Sequence, residues 1–171
     1  MKRLLSNNNI GFLVFLLFAF PAVSMAQDNN SKKDNKADMI KSLVAGQRYV
    51  FNAETALPLS GGLRQLNGGY ELIITKDTVT SYLPYFGKAY IAPINPSQGG
   101  IQFTSTKFNY TVTERKKGGW DIVIKPLDVQ DPRQLNLFIS ENGYAVLQVT
   151  SNNRQAISFN GSVYAISTRK K

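Results

Sequence analysis

Residues Leu135–Thr150 read Leu-Asn-Leu-Phe-Ile-Ser-Glu-Asn-Gly-Tyr-Ala-Val-Leu-Gln-Val-Thr. Leu135, Leu137 and Ile139 alternate with Asn136, Phe138 and Ser140. Leu147 and Val149 alternate with Gln148 and Thr150. A period of two puts one set of side chains on a buried face of a strand and the other set on the opposite face. Asn142-Gly143, between the two runs, is the strongest short hairpin signal, because both central residues of a type I′ turn take positive φ.

The same alternation continues in both directions. Tyr70, Leu72 and Ile74 form one such set. Others are Phe108, Tyr110 and Val112, then Trp120, Ile122 and Ile124, then Ile157 and Phe159. The connections are short: Lys76-Asp77, Lys116-Lys117-Gly118-Gly119 and Asn152-Asn153. Parallel crossovers need a dozen or more residues, so the sheet is expected to be antiparallel. The usual spacing gives a meander of about eight or nine strands. That many twisted strands curl or split. The second faces carry Val50, Ile73, Val123, Phe138 and Val146, which need some cover. A short N-terminal helix is the available cover. Ala37, Ile40, Leu43 and Val44 fall on one helical face, Asp34 or Asn35 can cap it, and Gly46 can end it in a left-handed conformation. The expected fold is mainly β: a strongly curved sheet or partial barrel with this helix packed against it. A closed lipocalin-like barrel is the alternative.

The chain has 171 residues and a formal charge of +9. Part of both belongs to its start. Lys2 and Arg3 precede an apolar run over Ile10–Phe20, and Ser24-Met25-Ala26 follows. That is the three-part layout of a signal peptide over residues 1–26, and the run is too short to span a bilayer. Residues 27–36 hold no apolar side chain and read as a disordered polar spacer. Residues 37–168 then form a single β-rich domain, and 169–171 a basic tail. Export implies a periplasmic location and removes nucleic acid as the target of the positive charge. Released from its signal, the chain is not expected to be an integral membrane protein. It has no Cys, hence no disulfide, thiolate nucleophile or lipid-bearing N-terminal Cys, and is not expected to be a lipoprotein. It has no His, which removes the commonest general base and transition-metal ligand. Zinc hydrolases, Ser-His-Asp enzymes and Cys-His proteases are excluded.

One stretch interrupts the meander. Tyr82–Gly100 is long for a hairpin connection and rich in Pro, Gly and aromatic residues. Long structured loops are usually functional. Leu83-Pro84 is where a cis peptide would fall. Here the sequence becomes recognisable. The blocks Asp77–Tyr90, Gly99–Phe103, Lys117–Trp120, Asn142–Ala145 and Ser151–Gly161 resemble the domain-of-unknown-function 4251 family. The resemblance covers most of the chain from about Phe51 to Gly161. It implies a small exported protein of Bacteroidota and brings no assigned activity or catalytic residue.

Tyr82, Tyr85, Phe86, Lys88 and Tyr90 are the candidate ligand-binding residues. Tyrosine offers an apolar ring with a polar tip, and rigid aromatic side chains make good anchors. The opposing expectation is that these rings close one end of the barrel. Arg115, Lys116 and Lys117 form a basic hairpin tip that could meet phosphate or anionic lipid, or simply be solvated. Ser167 to Lys170 has a Ser-x-x-Lys spacing, but a lysine in a tail stays protonated. Of the carboxylates Glu54, Glu71, Asp77, Glu114, Asp121, Asp128, Asp131 and Glu141, Asp77, Asp128, Asp131 and Glu141 fall in turns and Glu71 and Asp121 alternate outward, and none is placed in an apolar pocket. No catalytic residue, metal site or cofactor is assigned. The expected function is a non-catalytic binding or accessory module that uses the aromatic loop, its partner an envelope protein, glycan or lipid. The alternatives are an envelope structural or protein-interaction module and, less favoured, a carboxylate-based hydrolase.

Overall fold

The structure is a computed structural model that describes residues 28–90 and 99–167. The expected signal peptide over 1–26, the tail over 169–171 and part of the aromatic stretch, 91–98, lie outside the described residues. One helix, α1 (Asp28–Gly46), precedes ten strands: β1 (Tyr49–Pro58), β2 (Arg64–Gln65), β3 (Glu71–Ile74), β4 (Val79–Leu83), β5 (Ile101–Ser105), β6 (Phe108–Glu114), β7 (Trp120–Pro126), β8 (Gln134–Ile139), β9 (Tyr144–Thr150) and β10 (Ile157–Ala165).

The alternating runs form the expected antiparallel sheet. Its path is β5-β4-β3-β1-β10-β9-β8-β7-β6, with the two-residue β2 added beside β1. The nine strands of the path nearly close into a barrel with one unsealed seam. The inward set from each run makes the core: Leu72, Ile74, Ile122, Ile124, Leu135, Leu137, Ile139, Leu147, Val149, Ile157 and Phe159 are all buried. The tightest join is between the first and last strands. β1 and β10 pair from Tyr49↔Ala165 to Pro58↔Ile157, with one bulge near Glu54. Gly161 is what lets them approach. A Cβ there would sit 1.9 Å from the Asn52 carbonyl oxygen.

The seam lies elsewhere, between β5 and β6, which only Thr106 and Lys107 separate in the chain. Its cause is parity. Each neighbouring pair is antiparallel, so in a path of nine the two outermost strands run the same way. A two-residue link cannot fold such strands side by side. The chain instead continues from one edge of the barrel to the other through a corner. Asp128 holds that corner. Its carboxylate accepts from the backbone N–H of Thr106 at 2.8 Å and of Lys107 at 3.1 Å, and from the Ser105 hydroxyl. These bonds favour the charged form and hold the Asp128 carboxyl down at about 2.

Five expectations need correction. First, α1 does not cover the outer face. Ile40 and Val44 are buried with the inward residues, and Ile40 lies against Gly143, so the helix closes one end of the barrel. The barrel interior offers more apolar surface than the outer wall does, which decides the docking. Second, α1 begins at Asp28 and so runs through most of the stretch expected as a disordered spacer. That stretch has no Gly or Pro, and a docked apolar stripe supplies the costly helix nucleus that a polar run can extend. Third, Gly46 is the last helical residue but does not take the left-handed conformation. Gln47, at φ 47°, takes the left-handed position, and the N–H groups of Gln47 and Arg48 return to the carbonyls of Val44 and Leu43. The hairpin at Asn142-Gly143 is present but one residue longer than a type I′ loop. Gly143 N–H donates to Ser140 C=O, and Gly143 alone has positive φ, at 81°. The cis peptide among the described residues is Asp131-Pro132, not Leu83-Pro84.

Candidate functional site

The aromatic stretch leaves β4 at Leu83 and folds onto the connection between β9 and β10. Tyr90 N–H donates to Asn153 C=O at 2.7 Å, and Gln155 N–H donates to Lys88 C=O at 3.0 Å. Ala89 and Arg154 form a β-bridge. Arg154 is the hub of this dock. Its guanidinium pairs with Asp131 at 3.0 Å, donates to Gly100 C=O at 3.0 Å and lies 4.9 Å from the centre of the Tyr85 ring. The Tyr85 hydroxyl is within reach of both the Lys88 and the Gln155 carbonyls, at 2.9 and 3.1 Å, and its single proton serves one at a time. Burial pushes the Tyr85 phenol up, against the pull of the Arg154 charge.

The five sequence-predicted residues therefore divide. Tyr85 and Phe86 are half-buried and pack against the core, with the Arg64 guanidinium 4.9 Å over the Phe86 ring. They are structural braces. Tyr82 and Tyr90 are 53% and 68% exposed, and Lys88 is exposed as well. Tyr82 stacks on Tyr70, with ring centres 6.0 Å apart and planes 14° from parallel. From the sequence Tyr70 reads only as a member of an alternating strand set, and Arg64 carries no signal. Tyr70 immediately precedes β3, in which Glu71 is the partner of Tyr82, and Arg64 lies in the two-residue β2 beside β1, so only the assembled sheet brings them to Tyr82 and Phe86.

The basic tip also divides. Arg115 does not stand with Lys116 and Lys117. It folds back, pairing with Asp121 at 2.6 Å and lying 4.1 Å over the Phe138 ring. A guanidinium stacks on an aromatic face more readily than it stays in an exposed like-charge cluster. Lys116 and Lys117 remain exposed. Of the outward carboxylates, Asp121, Asp128 and Asp131 are engaged in these pairs and bonds. Among the described residues, no three Asp or Glu side chains come together as a metal cage. No helix there is long and apolar enough to cross a membrane.

Four depressions among the described residues have none of the five aromatic-loop residues in their lining. One, of about 550 Å³, lies between the end of α1 and the β3–β4 turn, near Arg48, Lys76 and Asp77. A second, of about 580 Å³, runs beside β6 and is lined by Phe108, Asn109, Tyr110, Thr111, Val123 and Lys125. The other two, of about 340 Å³ each, flank Phe138 and Leu57. At β6 the inward residues emerge from the core in order: Phe108 and Tyr110 are half-buried, and Val112 is 40% exposed. Tyr110 is anchored by its hydroxyl, 2.9 Å from that of Tyr49 on β1. Burial pushes the Tyr110 phenol up to about 12 and the Tyr49 phenol well up, so both stay neutral.

A family model described as a domain of unknown function, DUF4251, matches residues 31–163. The chain belongs to the DUF4251 family. A crystal structure of a DUF4251 family protein from Bacteroides eggerthii superposes with a TM-score of 0.60 at 14% identity, over 79% of this chain and 91% of that one. That likeness is one of fold. No curated protein matches the chain. The resemblance carried by Asp77–Tyr90 and its companion blocks is thus borne out, and DUF4251 membership adds no activity to the site described above.

Proposed function

We propose that this DUF4251 protein is an exported, non-catalytic binding module of the cell envelope. Its ligand surface comprises two outward tyrosines, Tyr82 on β4 and Tyr90 on the braced loop that follows it. The observation that carries the reading is the Tyr70–Tyr82 stack, more than half exposed at Tyr82 and held at the sheet edge from which the loop tied down by Arg154 departs. A fixed ring loses little freedom on binding, so such a surface suits a ligand with a flat apolar face and polar edge, such as a sugar ring. The signal-like pattern of residues 1–26 supports export.

A panel of envelope glycans screened by calorimetry tests this. Tyr82→Ala should weaken a hit roughly three- to tenfold, the loss of one stacking contact worth about 0.5–1.5 kcal/mol. Equal binding by the variant, or no hit in the panel, overturns the site. A second reading, a protein-interaction module, is favoured by a different observation: β6 ends the sheet path, and no strand among the described residues pairs with its outer edge.

A further inference from the structure

The direction of every backbone group on β6 follows from its register. Lys107 C=O accepts from Leu127 N–H at 2.8 Å, and Arg115 N–H donates to Gly119 C=O at 2.9 Å. Hydrogen-bonded pairs recur every second residue along an antiparallel ladder. Asn109, Thr111 and Thr113 therefore bond to β7, across from Lys125, Val123 and Asp121. Phe108, Tyr110, Val112 and Glu114 direct their N–H and C=O the other way. No strand among the described residues pairs with that side. A row of this length with no blocking Pro is what an added strand pairs with.

We infer that the free edge of β6 is a docking site for an extended, acidic strand of another protein. The inference rests on the second reading above and is independent of the tyrosine surface. Three observations support it. The backbone groups of four alternate residues point outward, and only a strand matches that repeat. The groove of about 580 Å³ lies beside the same residues, Phe108 to Thr111, and gives side chains of the incoming strand a seat. The charge is one-sided. Lys125 lines the groove, no carboxylate does, and Lys107, Lys116 and Lys117 stand exposed at the two ends of β6. The nearby carboxylates Asp121 and Asp128 are already engaged by Arg115 and by the corner. Glu141 lies against Gly118, and Glu114 at the far end is the opposing charge on the strand itself.

The test uses the chain from residue 27 onward and amide-resolved NMR. The probe is a synthetic octapeptide alternating valine with aspartate and threonine. Without peptide, the amides of Asn109, Thr111 and Thr113 should be protected from hydrogen exchange, and those of Phe108, Tyr110, Val112 and Glu114 should not. Adding peptide should shift and protect the second set. Val112→Pro removes an N–H that serves no bond to β7, so the fold should persist while peptide binding falls at least tenfold. A lysine-for-aspartate peptide should bind at least tenfold more weakly. If both peptides bind the edge equally, the acidic preference is wrong and the interaction reading stands. If no peptide moves the four amides, both fail. Protection of those amides that rises with protein concentration, with a dimer in sedimentation, overturns the inference in favour of a second copy of this chain.

Discussion

The barrel has two joins, and they contrast. β1 and β10 lie at opposite ends of the described domain, yet they pair over the full length of β10. β5 and β6 are two residues apart, yet they do not pair. Closeness in sequence favours a hairpin only where the chain can reverse. At Thr106-Lys107 it continues forward, and the odd number of strands leaves parallel edges. The closed join is sealed by burial and by a glycine. The open join is shaped by a carboxylate.

Substitutions of like kind at the two joins sharpen the contrast. Phe159 on β10 and Val112 on β6 both belong to the inward set, but one is fully buried and the other is 40% exposed. Phe159→Ala should cost about 3–5 kcal/mol. Val112→Ala should stay within about 0.5 kcal/mol. Urea titrations compare the two, and a cost at Val112 near that at Phe159 would mean the seam is sealed. Gly161→Ala comes next. Its methyl meets backbone rather than a movable side chain, so the cost should reach the top of the usual overpacking range, about 3 kcal/mol. A neutral result would show that β1 and β10 are looser than they are drawn.

The effect at the corner is also small. The Asp128 carboxyl lies at about 2, below its ordinary value of 3.8, so its charged form is favoured by folding. Its contribution is complete above the ordinary carboxylate range and is lost as the pH falls through about 2. Asp128→Asn should lower Tm slightly at neutral pH. The difference from the unsubstituted chain should vanish near pH 2. A difference that persists in acid would break the assignment of the corner to this carboxylate.

Much of the architecture was legible in particular residues. The alternation at Leu135–Ile139 and Leu147–Val149 announces two strands and their buried faces, because side-chain direction along a strand is a local property. Ile40 and Val44 announce a docked helix for the same reason. The candidate site was legible only in part. Tyr82 and Tyr90 stand out as exposed anchors, but Tyr85 and Phe86 look the same in sequence and serve as braces. Arg154 and Asp131 divide them, and these two residues meet across a connection that no local pattern encodes. Arg115 likewise reads as a member of a charge cluster until Phe138, one strand beyond its neighbour β7, offers it a ring.

The sequence by itself determined most of the strands, their inward faces, the antiparallel sense and the family. All follow from periods, turn lengths and motif blocks a few residues long. Tertiary structure alone decided which strands are left without a neighbour, which end the helix closes, and which aromatic rings face outward. Those outcomes depend on closing a curved sheet upon itself. Closure is a sum over every strand's twist and register, and no single segment carries that sum.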